Sequence, residues 1–202
     1  DIAGFFKHML ERVDWSRDLH FQTQTSMDTL DYSGTGLNSG SKVVIAAAGE
    51  KKRELGSTVP GLSLPDGFGD VCLVMPGVLA LRGPSFPGYG SAPAGMEKLT
   101  AALETQQGIL ENHPLIILCD DPDFVAARLD NFLWTTFTRS NPSHDVYGLR
   151  SFTEFKHWGC RGSLIIDARS KPHHAPPLEQ DPAVEKRIDR LFAAGGSLHG
   201  IG

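Results

Sequence analysis

Three kinds of feature are scarce in this chain, and each scarcity excludes something. Cysteine is rare: Cys72, Cys119 and Cys160 are the only three in 202 residues, odd in number and far apart. That excludes a disulfide framework and points to a reducing, cytoplasmic setting. Cys72 and Cys119 fall in apolar runs, where cysteine behaves as a small buried hydrophobe. Basic charge is not in excess: 19 Lys and Arg stand against 24 Asp and Glu, a formal net charge of -5. Nucleic acid selects a basic stripe, so it is not an expected partner. Apolar runs are short, and none approaches the roughly 20 residues that a membrane-spanning helix needs. No membrane partner and no secretory leader are expected. Internal repeats, G-x-S-x-G, P-loop and H-E-x-x-H are all missing.

What is present is ordinary for a globular chain, with 40% hydrophobic and 21% charged residues. The length allows one good core, or one domain plus an attached segment. The first residue is Asp1 rather than Met, which is read as a sign that the chain is part of a longer polypeptide.

The stretch from Pro114 to Gly148 organises the rest. Leu115 to Cys119 is an unbroken apolar run, the pattern of a strand buried on both faces. Asp120-Asp121-Pro122-Asp123 stops it and starts a helix, because carboxylates accept the orphan N–H groups of a first turn. Val125, Leu129, Phe132, Leu133 and Thr136 form an apolar stripe at helical spacing. Asn141-Pro142 closes the helix, and Asp145 to Tyr147 can re-enter the sheet. The pattern reads as βαβ. It predicts an α/β fold, a mostly parallel sheet flanked by helices in three layers, with an N-terminal helical lead-in.

In chain order, Ile2 to Val13 reads as an amphipathic helix and Leu19 to Met27 as an exposed or edge strand. Residues 1–30 are expected to be a helix and linker leading from a missing upstream domain, and 31–202 the C-terminal α/β domain. The glycine-rich DYSGTGLNSG leads into KVVIAAA at 42–48, expected to be the first firmly buried strand. EKKR at 50–53 reads as a solvated turn and Val71 to Met75 as a second strand. Residues 79–95 are broken by Pro84, Pro87, Pro93 and four glycines and are expected to be irregular, of the kind that is often functional or mobile. A helix over 96–110, an aromatic loop over 149–162 and a buried strand over 163–168 follow. Asp181-Pro182 caps a last helix with Val184, Ile188, Leu191 and Phe192 on one face, ended by Gly195-Gly196.

Three groups of residues bear on chemistry. GTGLNSG superficially suggests a dinucleotide site, but its glycines precede a strand instead of opening a helix. Asn38 within it is either a turn residue or a polar group at a pocket mouth. Asp120, Asp121 and Asp123 lie at the C-terminal end of a strand, where open sheets bind ligands. They could hold a hard cation, although helix capping explains them without one. His173-His174 lack ligand spacing and read as solvated loop histidines. No metal-ligand set is assigned.

In this order, LCDDPDF, DNFLWTTFTRSNPSHDV, GSLIIDAR and DPAVEKRIDRLF resemble the C-terminal domain of UbiD-type decarboxylases. Trp134 matches a D-x-x-W-like core, with Asn131 at the acidic position. Thr138, Arg139, Pro142 and Asp145 match T-R-x-x-P-x-x-D, and Asp167-Ala168 match a later D-A element. The resemblance covers about Lys42 to Phe192. It points to bacterial enzymes acting on small aromatic or heteroaromatic acids, pyrrole-2-carboxylate among them.

The resemblance implies reversible, non-oxidative decarboxylation of an aromatic, heteroaromatic or α,β-unsaturated carboxylic acid. Prenylated FMN would be the cofactor, supplied by a flavin prenyltransferase and held with a divalent metal (Mn or Mg) and potassium. Those sites and the catalytic residues are expected in the upstream part of the same polypeptide, so this chain alone is expected to be inactive. By the same resemblance this part closes the active site and supports a homodimer. Asn38 would be a hydrogen-bonding substrate selector, and Phe152 and Phe155 would be hydrophobic pocket walls, with a core role equally open for one of them. Where the family has a lysine near the cofactor, this chain has Gln107 or His113. Trp134 is expected in the core and Arg139 against an acid of the sheet-end turns. Two rival readings are a dimerisation or interaction module without substrate contacts, and a metal-dependent hydrolase using Asp120, Asp121 and Asp123.

Overall fold

A computed structural model of the chain describes residues 1–175 and 181–201. Pro176 and Pro177 of the histidine-bearing loop lie outside the described residues. The centre is a five-stranded sheet. Its strands are β3 (Gly69–Met75), β4 (Val78–Arg82), β5 (Leu115–Cys119), β6 (Val146–Gly148) and β9 (Leu164–Asp167), in the order β3-β4-β5-β9-β6. β4, β5 and β9 are mutually parallel, and β3 and β6 run antiparallel at the two edges. The fold is α/β, as the sequence predicts, with a mixed sheet.

Alternation along the parallel strands divides the core in two. Val78, Ala80, Leu115, Ile117 and Cys119 face one side. There they meet α1 (Ile2–Arg12), α4 (Pro122–Ala127) and α5 (Leu129–Thr138) through Leu10, Val125 and Phe132. Leu79, Leu81, Ile116, Leu118 and Ile165 face the other side. They meet α2 (Ala92–Glu104) and α3 (Gln107–Leu110) through Leu99, Leu103 and Leu110. Each such fully buried side chain contributes about 1.5–3 kcal/mol. The result is three layers. The N-terminal segment belongs to the first of them: Leu10, Val13 and Leu19 are wholly buried, and the Trp15 indole donates to Pro114 O at 2.8 Å.

Four expectations are corrected. The strand at 42–48 is β2 (Ser39–Ile45), which pairs with β1 (Leu19–Ser26) in a separate antiparallel ribbon. Only one of its faces packs, through Val43 and Ile45, while Val44 is 53% exposed. Residues 79–95 are not uniformly irregular. They hold most of β4, because the proline and glycine density starts only at Gly83. The Val146–Gly148 strand re-enters antiparallel to β9, so the parallel crossover is β4-α2-β5. The aromatic stretch after Gly148 is a hairpin, β7 (Ser151–Glu154) and β8 (His157–Cys160).

The turn between β3 and β4 requires its glycine. Gly77 has φ 83°, and a Cβ there would lie 2.8 Å from Leu55. Two further helices complete the order: α6 (Pro142–Asp145), a single turn, and α7 (Pro182–Phe192). α7 buries none of its residues among those described.

Candidate functional site

The carboxyl ends of β5 and β9 carry a concentration of buried charge. The apolar run of β9 ends at Asp167, and its carboxylate takes two bonds from Arg169, Nε at 2.9 Å and Nη2 at 2.6 Å. Both side chains are sealed from solvent. Two residues on, Lys171 turns back under the sheet end. Its Nζ donates to the carbonyls of Arg139 (2.8 Å), Asp167 (2.9 Å) and Arg169 (3.3 Å). It also lies 3.4 Å from Asp145 Oδ2.

Asp145 sits on α6, which the Pro142 ring starts and the extended backbone at Val146 ends. Its Oδ2 accepts from the Asn141 N–H (2.7 Å) and the Tyr89 hydroxyl (3.3 Å), while Oδ1 is buried without a partner. Burial pushes its carboxyl up to about 6 against the pull of Lys171. Lys171 is shifted down by burial. Burial raises Tyr89 as well, with Asp145 beside it, and brings His174 down to about 4. The Ser41 hydroxyl bridges α6 to the β1–β2 ribbon, donating to Asn141 Oδ1 and accepting from the Ser143 N–H.

A groove of about 600 Å³ lies against the outer side of α6. β1 contributes Leu19, His20, Phe21 and Thr23, and the β7–β8 hairpin contributes Phe155, Lys156, His157 and Trp158. Phe21 and Trp158 meet edge to face at 5.5 Å. At the hairpin tip Phe155 (φ 49°) and Lys156 (φ 66°) both adopt left-handed backbone geometry, and Phe155 is fully exposed. Two consecutive positive φ values are what a two-residue type I′ turn requires, but Asn-Gly is the usual solution. A bulky pair there carries about 1–2 kcal/mol of strain per residue.

The structure separates the three residues that the sequence singled out. Phe155 is in the groove. Phe152 is on β7, under the Arg161 guanidinium at 4.5 Å. Asn38 is exposed in the β1–β2 turn with φ 55°, a geometry Asn tolerates. The three aspartates also diverge. Asp120 accepts from Arg139 and the Ser170 N–H, Asp121 caps α4 through the Phe124 N–H, and Asp123 accepts from the Cys72 thiol. Arg139 thus pairs with an acid, as expected.

Trp134 is not in the core but 51% exposed, packed between Phe124 and the Arg139 guanidinium. Two residues from the buried Phe132, it falls on the opposite side of the helix. The two histidines of 173–174 part company too: His173 is exposed, whereas His174 is half-buried with Nε2 unpartnered. Arg169, Lys171, Tyr89 and Phe86 were not singled out by the sequence. The available signal was the ARSK run straight after a buried strand and two aromatics inside a Pro/Gly loop.

Residues 1–47 match the family of the 3-octaprenyl-4-hydroxybenzoate carboxy-lyase C-terminal domain, UbiD_C. A 4-hydroxybenzoate decarboxylase subunit of Chlamydia pneumoniae is 30% identical over 186 residues, 92% of this chain and 30% of that protein. The chain carries a UbiD-family C-terminal portion. An uncharacterized protein of Chlamydia trachomatis serovar D is 29% identical over 189 residues, 93% of this chain and 30% of its own length. The chain thus spans about 30% of the length of the curated relatives it matches. A vanillic acid decarboxylase of Sedimentibacter hydroxybenzoicus, solved in an open form, is 18% identical with a TM-score of 0.36, over 57% of this chain and 26% of that one. In this UbiD portion the family match covers α1 and most of the β1–β2 ribbon, so one wall of the groove lies inside it. Among the described residues no helix is long and apolar enough to cross a membrane.

Proposed function

We propose that the chain is the C-terminal domain of a reversible, non-oxidative carboxy-lyase acting on aromatic, heteroaromatic or α,β-unsaturated acids. In this reading residues 31–202 belong to that domain, and 1–30 lead into it from the upstream part of the polypeptide while packing on its core. The observation that carries the reading is the groove beside α6. Its β1 wall falls in the segment that matches the carboxy-lyase family, and its opposite wall offers an aromatic side chain at a strained turn. In this reading a substrate ring would lie in the groove against Phe21, Trp158 and Phe155. Lys156, with His20 and His157 nearby, supplies donors for a carboxylate.

Prenylated FMN, a divalent metal and potassium belong in this reading to the upstream part. When bound, the flavin would supply the electron sink for the electron pair left behind as carbon dioxide departs. The groove residues fit a ring and a carboxylate; they include no Asp or Glu to hold the metal of a flavin phosphate. This chain's own task is to wall the substrate, orient it and exclude water when the domain closes.

The test uses the full-length enzyme co-expressed with a flavin prenyltransferase, assayed for carbon dioxide release from a panel of aromatic acids. Phe155 is fully exposed, so Phe155→Ala should leave stability unchanged and lower kcat/KM at least tenfold. Unchanged kinetics in that variant would remove the groove from the active site.

A second reading is a dimerisation module. It is favoured by α7, whose Val184, Ile188 and Phe192 are each more than 40% exposed. The two readings concern different faces and are compatible.

A further inference from the structure

We infer that the loop Pro84–Ser91 is a strap governed by Asp145, closed while that carboxyl is neutral and released when it is ionised. The inference is independent of the proposed chemistry and rests on how the loop is held. Among the described residues its backbone makes no hydrogen bond to the main chain of any other element; Ser91 and Ala92 close on Gly88, which has φ 93°. Side chains hold it instead. Arg169 Nη1 donates to Pro84 O at 2.8 Å. The Phe86 ring lies against Arg169 (5.4 Å) and Lys171 (5.2 Å). Tyr89 packs against Phe86, His144 and His173 and places its hydroxyl on Asp145. Between these anchors Pro84, Ser85, Pro87 and Gly90 are exposed.

Asp145 is poorly compensated as an anion. Lys171 is already satisfied by three carbonyls, and the carboxylate is its most distant partner. Asp145 Oδ1 has no donor among the described residues. The groups facing the carboxyl from the neighbouring elements are Tyr89 from the strap, Tyr147 from β6, and Asp167 with Arg169 and Lys171 from the end of β9. His144 adjoins it on α6, and His173 and His174 flank Tyr89 and Lys171. Arg169 is matched by Asp167, so it offers Asp145 no compensation, and the Asp167 carboxylate itself repels it. A buried charge lacking full compensation is drawn to water. The strap is a covering that can leave without breaking the sheet, because it is no part of any strand.

The sign follows from linkage. The closed state holds the Asp145 proton more tightly than an open, solvated state would, since burial places its carboxyl at about 6. Acid therefore favours closure, and the strap loosens as pH rises through that value.

The experiment is hydrogen exchange of the Ser91 and Ala92 amides, the two that close on Gly88 O, in the full 202-residue chain at pH 5.5 and 7.5, corrected for intrinsic rates. Protection should fall at least tenfold at the higher pH. Asp145→Asn should hold the strap equally protected at both values, while the double variant His144→Gln/His173→Gln should keep the wild-type dependence. Protection independent of pH in the wild type, a dependence that survives Asp145→Asn, or one that vanishes with the histidines would each overturn the inference. Should Asp145→Asn fail to fold, the wild-type side-chain carboxyl ¹³C titration decides: a midpoint near 6 supports the strap, and one below about 4.5 sinks it.

Discussion

At the scale of single residues, the Asp167–Arg169 pair is the most demanding feature. Two opposite charges sit sealed at the end of β9, joined in a bidentate fork. Removing one partner strands the other, which typically costs about 3–5 kcal/mol. Arg169→Ala should therefore lower the urea midpoint sharply, and it should also free Pro84 O and the Phe86 ring. A loss under about 1 kcal/mol would mean that water reaches this pair. Much at this scale was legible from sequence. Asp121 reads as a helix cap because a proline and an apolar stripe follow it, and it caps α4. The Trp134 position was misjudged because a large aromatic suggests core, whereas helical phase puts it outside. The buried charges were hidden for a different reason. A sequence shows that charges follow a strand, but not that Lys171 turns back beneath it to reach α6.

At the scale of elements, the β7–β8 hairpin is built against its own interest. Its pairing from Ser151–Cys160 to Glu154–His157 leaves a two-residue tip, and Phe155 and Lys156 both pay the left-handed cost. Replacing the pair by Asn-Gly, as Phe155→Asn with Lys156→Gly, should stabilise the hairpin by roughly 1–2 kcal/mol. Thermal melting would show the rise. The same variant in the full-length enzyme should lose turnover, since the aromatic wall goes with the strain. A variant that is both more stable and equally active would show the tip to be incidental. Reading such a tip from sequence is hard. Phe-Lys carries no turn signal, and only the pairing of its flanks forces the geometry. β4 was missed for the reverse reason: its clear apolar run was judged by the prolines that follow it.

At the scale of the whole molecule, the described body closes its core without α7. Truncation after residue 175 removes no buried apolar side chain among those described. The melting temperature should then move by less than about 2 °C, a shift that corresponds to well under 1 kcal/mol for a chain of this size. A loss of 5 °C or more would show that the helix docks on its own body. The α/β class was legible because buried parallel strands announce themselves as continuous apolar runs. Edge strands and the ribbon are half-exposed, so their order and direction were not. The N-terminal segment reads as a lead-in when taken alone, yet Leu10, Val13, Trp15 and Leu19 complete one face of the core.

The contact between Trp15 and Pro114 spans 99 residues of chain. It ties the first helix to the strand that begins there. During synthesis α1 leaves the ribosome before the surface it needs, which is built from β4, β5 and β9, the last of which ends at Asp167. Its apolar stripe must wait, uncovered, while more than a hundred further residues are added. Such deferred, non-local closure makes folding slow and exposes sticky surface meanwhile. A segment made well before its partners is among the last to be secured, and the nascent polypeptide spends that interval dependent on whatever shields hydrophobic helices in its cell.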